Sequence, residues 1–169
     1  MFMKLYLFIR KHITSPLFSY IEKATHPSLV EQGGRELKEL KSKCTSITDY
    51  VHFINRMNFK WSNDPIWGIL DYTSCPEMTV AGRGGDCDDF AALAIEVLKP
   101  HFEKSWLLYT LKGIHKAHVM ALFFNGFRYQ LLSNGEKIFE TENEDELFER
   151  CAEAYYGTRI QHFLVEEIK

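Results

Sequence analysis

The chain has 169 residues, enough for a real hydrophobic core, and is 46% hydrophobic, 14% aromatic and 25% charged, the profile of a globular rather than a disordered chain. A formal net charge of −3 removes the electrostatic case for nucleic-acid binding. Cys44, Cys75, Cys87 and Cys151 lack CxxC spacing, which excludes a zinc ribbon or a small disulfide scaffold and points to reduced thiols in a cytoplasmic compartment.

Met1 to Tyr20 is rich in Phe, Leu, Ile and Tyr, with Lys4, Arg10 and Lys11 among them. It reads as a helix broken or restarted at Ser15-Pro16. The charges interrupt it too early for a membrane span, and no small-residue cleavage site follows, so no signal peptide is expected. Such an arm can lie on a membrane surface or bind a partner. The simpler expectation is a helix packed on the domain, given the weak charge contrast between its faces. His26-Pro27 and Gln32-Gly33-Gly34 read as loops, and Glu36 to Lys43 as a short, solvated helical segment. Thr45 or Ser46 can cap a helix through Met57. Residues 1–45 are thus expected to form a helical arm and 46–169 a core, together one domain. Asn58 to Asp64 mixes aromatic and polar residues, and Ile66 to Tyr72 and Pro76 to Val80 read as connecting turns or short elements. Trp61 and Trp67 either wall a cleft there or pack in the core.

The chain is organised around Gly82-Arg83-Gly84-Gly85-Asp86-Cys87-Asp88-Asp89-Phe90-Ala91-Ala92-Leu93. Three glycines in four positions predict an irregular, left-handed or tightly turned loop. The Ala- and Leu-rich run after it predicts a helix that starts near Cys87 and stops before Pro100. Asp86, Asp88 and Asp89 suit its first turn, where carboxylates meet unpaired N–H groups. A free cysteine is most often a small buried hydrophobe. One placed where a glycine loop feeds a helix N-terminus is instead suited to be a nucleophile, because that position lowers a thiol pKa; the aspartates oppose the effect.

Beyond this helix the pattern turns to strands. Ser105 to Leu111, His118 to Phe124 and Phe127 to Leu132 are β-rich. Asn125-Gly126 and Asn134-Gly135 are turn signals. Glu142 to Glu149 reads as the start of a helix that reaches Tyr155 and ends at Gly157. Arg159 to Ile168 alternates as a final strand, with Ile160, His162, Leu164 and Glu166 on one face. Helices, a cysteine-bearing helix and then an antiparallel sheet make the fold class α+β.

A two-residue Asn125-Gly126 loop would set Phe124 opposite Phe127, Met120 opposite Leu131 and His118 opposite Ser133. Ser133 or, after a bulge, Asn134 would then meet the His118 ring. If the cysteine helix packs on that face, Cys87, His118 and Asn134 or Ser133 form nucleophile, base and orienting group. The Cys87 N–H is a natural oxyanion donor, with Asn58, Trp61 and Asn63 as candidates for a second. His118 has this hairpin context, with His115 close by in sequence. His12, His26, His52, His101 and His162 have none and are read as structural or exposed. Cys44, Cys75 and Cys151 are assigned to packing.

GRGGDCDDFAAL resembles the nucleophile motif of the transglutaminase-like superfamily. AHVMALFF looks like its histidine strand, and YQLLSNG like the next, at whose end that family commonly has an aspartate. The resemblance covers about Tyr50 to Asn134. It implies a papain-like fold, with a nucleophile-bearing helix packed on an antiparallel sheet. It also implies acyl transfer or amide hydrolysis through a thioester on a peptide or protein amide, without a cofactor, Cys87 being the nucleophile and His118 the base. The departure is Ser133-Asn134 where aspartate is usual. Asparagine can orient a histidine but offers no charge. The competing reading is an inactive domain of this kind serving as a binding module. A third, a Ca²⁺ or Mg²⁺ site at Asp86, Asp88 and Asp89, fits less well than helix-start carboxylates.

Overall fold

The structure, a computed structural model, describes residues 8–62, 73–112, 116–158 and 163–168. A π-helical turn, Arg10–Thr14, runs into α1 (Ser15–Thr25), so the helix restarts at Ser15-Pro16 as its proline demands. His26 ends it, and Pro27 opens α2 (Pro27–Lys43). Gln32-Gly33-Gly34 is therefore not a loop but part of α2. The glycine serves close packing: a Cβ on Gly33 would lie 1.8 Å from the Glu77 carbonyl oxygen. The charged stretch after it is not simply solvated, because Leu37 and Leu40 are buried. Ser46 caps α3 (Ile47–Arg56) in a reciprocal box with Asp49.

A two-residue strand, β1 (Lys60–Trp61), lies parallel to β2 (Gly84–Gly85). Between them Pro76 starts α4 (Pro76–Gly82), one of the short elements expected there. Next comes the central helix, α5 (Cys87–Leu98), followed by a 3₁₀ turn, Lys99–His101, that accommodates Pro100. The remaining strands are β3 (Lys104–Lys112), β4 (Lys116–Phe124), β5 (Tyr129–Ser133) and β6 (Glu136–Thr141). Then come α6 (Leu147–Tyr156) and β7 (Phe163–Glu167). They build a five-stranded sheet in the order β6-β5-β4-β3-β7, antiparallel throughout. The fold is α+β, as its sequence order indicates. The acidic run Glu142–Glu146 precedes α6 rather than opening it, and Gly157 closes it at φ 66°. Asn63, Trp67, His115, Ile160 and His162, and the expectations for 1–7 and for Ile66 to Tyr72, lie outside the described residues. No helix among the described residues is long and apolar enough to cross a membrane.

Two hairpins set the positions of the polar residues. At the first, the two-residue loop is wrong. Phe124 pairs with Tyr129 and Ala121 with Leu132, a shift of two residues. The Asn125 side chain causes it by accepting the N–H groups of Phe127 and Arg128 at 3.1 and 2.8 Å, which closes a four-residue turn. At the second, Asn134 (φ 49°) and Gly135 (φ 80°) form a two-residue turn between Ser133 and Glu136. Because the shift is even, every β5 side chain stays on its expected face.

The two faces of the sheet have different covers. Val119, Ala121, Phe123 and Leu132 pack against α5 through Phe90, Ala91, Ala94 and Leu98. Trp106, Leu108, Met120, Leu122 and Leu131 pack under α6 through Leu147 and Cys151.

Candidate active site

The start of α5 is built by carboxylates. Asp86 caps the helix, accepting the N–H groups of Asp88 and Asp89 at 3.2 and 3.4 Å, while Asp89 accepts the Asp86 N–H at 3.2 Å. Asp89 also accepts the Ser74 N–H at 2.7 Å, and Asp88 accepts the Thr73 hydroxyl at 2.6 Å. Both carboxylates thereby tie the 73–75 segment to the helix start. Atoms of Asp86, Cys87 and Asp88 converge within 4.8 Å, close enough to hold an ion. Capping and tethering already account for where these side chains sit. The preceding glycines are not the irregular loop that was expected. Gly82 ends α4, Gly84 and Gly85 form β2, and the left-handed residue is Arg83 at φ 51°. A Cβ on Gly84 would lie 2.4 Å from the Lys60 carbonyl oxygen. Close strand approach, not backbone freedom, demands glycine there.

Cys87 opens α5 and is half-buried, whereas Cys44, Cys75 and Cys151 are buried. Burial pushes the Cys44 and Cys75 thiols up to about 11 and Cys151 up to about 12. Those three are packing cysteines that stay protonated at neutral pH.

His118 is buried at one end of β4. Its Nε2 lies 2.7 Å from the Ser133 hydroxyl. Of the two third-position candidates, Ser133 therefore meets the ring. The shifted register leaves Ser133 two positions short of His118 in the ladder, so the bond is diagonal rather than directly across. Asn134 occupies the left-handed turn, and its Oδ1 is buried without a hydrogen-bond partner among the described residues. Burial pushes His118 down to about 4, so the imidazole is neutral at pH 7.

Strand alternation puts His118 with Met120 and Leu122 on the α6 face, not on the α5 face. The condition that the cysteine helix packs on the histidine's face is therefore not met. His118 is covered instead by the end of α6. The Tyr155 ring stacks on the His118 ring with centroids 3.8 Å apart and planes 3° apart. Burial raises the phenol pKa of Tyr155, and the Tyr156 and Cys87 charges raise it further. Tyr156 is raised by burial, lowered in part by its Thr110 bond, and raised again by Cys87. Cys87 thus lies within electrostatic reach of the residue that covers His118. Thr110 donates its hydroxyl to the His118 carbonyl at 3.0 Å and meets the Tyr156 hydroxyl at 3.0 Å. Thr110 has one proton, so Tyr156 donates in that second bond.

Tyr155 and Tyr156 were not expected as site residues. Their helix was legible, but its docking at the end of β4 is a tertiary fact with no local signal. Among the proposed second oxyanion donors, Asn58 is a left-handed turn residue and Trp61 is exposed on β1. Trp61 is therefore not a core residue.

No family model matches the chain, and no curated protein matches it. A solved structure of Legionella pneumophila LapG is similar at 19% identity and a TM-score of 0.41, over 67% of this chain and 74% of that one. The calcium-bound and EGTA-treated forms of that protein are each 21% identical with a TM-score of 0.41, over 63% of this chain and 64% and 62% of theirs. The likeness is distant and assigns this chain no activity.

Proposed function

We propose that the chain is a cysteine hydrolase or acyltransferase that acts on peptide or protein amide bonds through a thioester. The observation that carries this reading is the His118–Ser133 hydrogen bond beside Tyr155, a position that the charge of Cys87 reaches. The motif resemblance to transglutaminase-like proteins supports the same roles. With Nε2 engaged by Ser133, His118 Nδ1 is the atom that exchanges protons with Cys87. The Cys87 sulfur attacks the amide carbonyl carbon as its proton passes to Nδ1, and the carbonyl electron pair moves onto oxygen. The Cys87 N–H, in the first turn of α5, stabilises that oxyanion. Collapse expels the amine, which takes the proton from His118 and leaves a thioester on Cys87. Water or a second amine attacks the thioester, giving its proton to His118. Collapse then releases acid or new amide, and the sulfur recovers the proton.

Serine is a weaker partner than a carboxylate because it adds no charge to stabilise an imidazolium. Its hydrogen bond still holds the ring orientation. A second reading is favoured by the same geometry: a buried, neutral His118 under a stacked tyrosine fits a binding module that does no chemistry. Mass spectrometry of the protein incubated with a peptide library, with and without a labelled primary amine, separates the two. The enzyme reading predicts an acyl adduct on Cys87 and either cleaved peptide or amine-labelled product, all lost in Cys87→Ser. No adduct and no product, with peptide binding retained in Cys87→Ser, would select the binding module.

A further inference from the structure

The helix formed by residues 8–25 is packed inside out. Its inner side carries Ser15, Ser19 and Glu22 beside a half-buried Phe18: the Thr73 N–H reaches Ser15 Oγ at 3.0 Å, and the Cys75 N–H reaches Glu22 Oε2 at 3.0 Å. No residue of α1 is buried. Ile9, Ile13, Leu17, Tyr20 and Ile21, spaced by three or four residues, point away from the body of the protein, with Leu17 at 52% and Tyr20 at 72% exposure. Phe8 extends the same surface. An amphipathic helix normally buries its apolar stripe and wets its polar one. Here two polar side chains hold the helix to the 73–75 segment, and the apolar stripe is left to something outside the described chain.

Charge identifies the occupant. Within residues 1–25, Lys4, Arg10, Lys11 and Lys23 stand against a single carboxylate, Glu22, which is already engaged with Cys75. The whole chain carries −3, so the excess negative charge lies outside this segment. Two copies docking stripe to stripe would bring these cationic segments together. A bilayer with anionic headgroups accepts both features, apolar side chains into the acyl boundary and cations at the headgroups. We infer that this helix docks the protein on the surface of an anionic lipid bilayer. The proposal is independent of the chemistry at Cys87.

The test is flotation of the full chain with phosphatidylcholine vesicles, with and without phosphatidylglycerol, at low and high salt. Anionic vesicles should float the protein, and salt and purely neutral vesicles should weaken binding. Leu17→Glu should weaken it about tenfold or more. Arg10→Glu with Lys11→Glu should weaken it by at least about fivefold per charge. Because Leu17 is exposed, its variant should unfold at the wild-type temperature. No flotation would overturn the proposal, as would equal binding to neutral vesicles or binding indifferent to both variants. Sedimentation showing a dimer that Leu17→Glu dissociates, without vesicle binding, would give the stripe to a second copy instead.

Discussion

The two faces of the central sheet differ in what they tolerate. The α5 face is apolar where Val119, Ala121, Phe123 and Leu132 meet the helix. The α6 face is equally apolar in its middle, but at one end it carries the His118–Ser133 pair, the Thr110 hydroxyl and the two tyrosines of α6. On the first face the residues that meet the helix are held by packing. The second adds a polar corner in which most groups have a hydrogen-bond or ring partner. Buried polar groups are costly unless satisfied, so a corner of this kind signals function better than it signals stability.

The contrast can be broken from either side. The largest effect is expected on the α5 face: Phe123→Ala removes a fully buried ring in contact with Phe102 and should cost about 3–5 kcal/mol, read by urea unfolding. On the α6 face the corresponding lever is pH. His118 sits near 4 in the fold and near its ordinary 6.5 when unfolded, so the unfolded chain binds the extra proton first. Stability should therefore fall as pH drops from about 6.5 to 4, by up to about 3 kcal/mol, and His118→Gln should flatten that part of the profile. A wild-type profile already flat there would mean that the thiolate of Cys87 holds the imidazolium against burial.

Ser133→Asp sharpens the comparison further. A carboxylate 2.7 Å from Nε2 would stabilise the protonated ring and raise the His118 pKa from about 4 to above about 6, read from imidazole proton shifts by NMR. Smallest is the helix cap: Asp86→Ala should cost about 1 kcal/mol by removing the acceptor for Asp88 and Asp89. A loss well above that would show that Asp86 does more than cap.

What was legible in the sequence follows a physical line. The α5 start, the Ser46 cap, the strands of the β3–β5 meander and the Asn134-Gly135 turn depend on local chemistry, and local chemistry is written in consecutive residues. Gly33 was misread because its reason is contact with Glu77, some forty positions away. The Asn125 turn was misread because Asn-Gly usually makes a two-residue loop, whereas here the asparagine side chain closes a longer one. His118 and Ser133 were found together despite the wrong register, because an error of two residues preserves the face. The tyrosines and the side of the sheet taken by α5 belong to tertiary packing, and no spacing rule reports them.

The central claim is that Cys87 and His118 act as a pair. It is tested most directly by site-resolved alkylation with limiting iodoacetamide across pH, read by mass spectrometry in the wild type and in His118→Ala. We expect Cys87 to react ahead of Cys44, Cys75 and Cys151 at neutral pH, with the neutral His118 imidazole as its base, and His118→Ala to remove that lead. Cys87 reacting no faster than the three packing cysteines, or equally fast without His118, would contradict it.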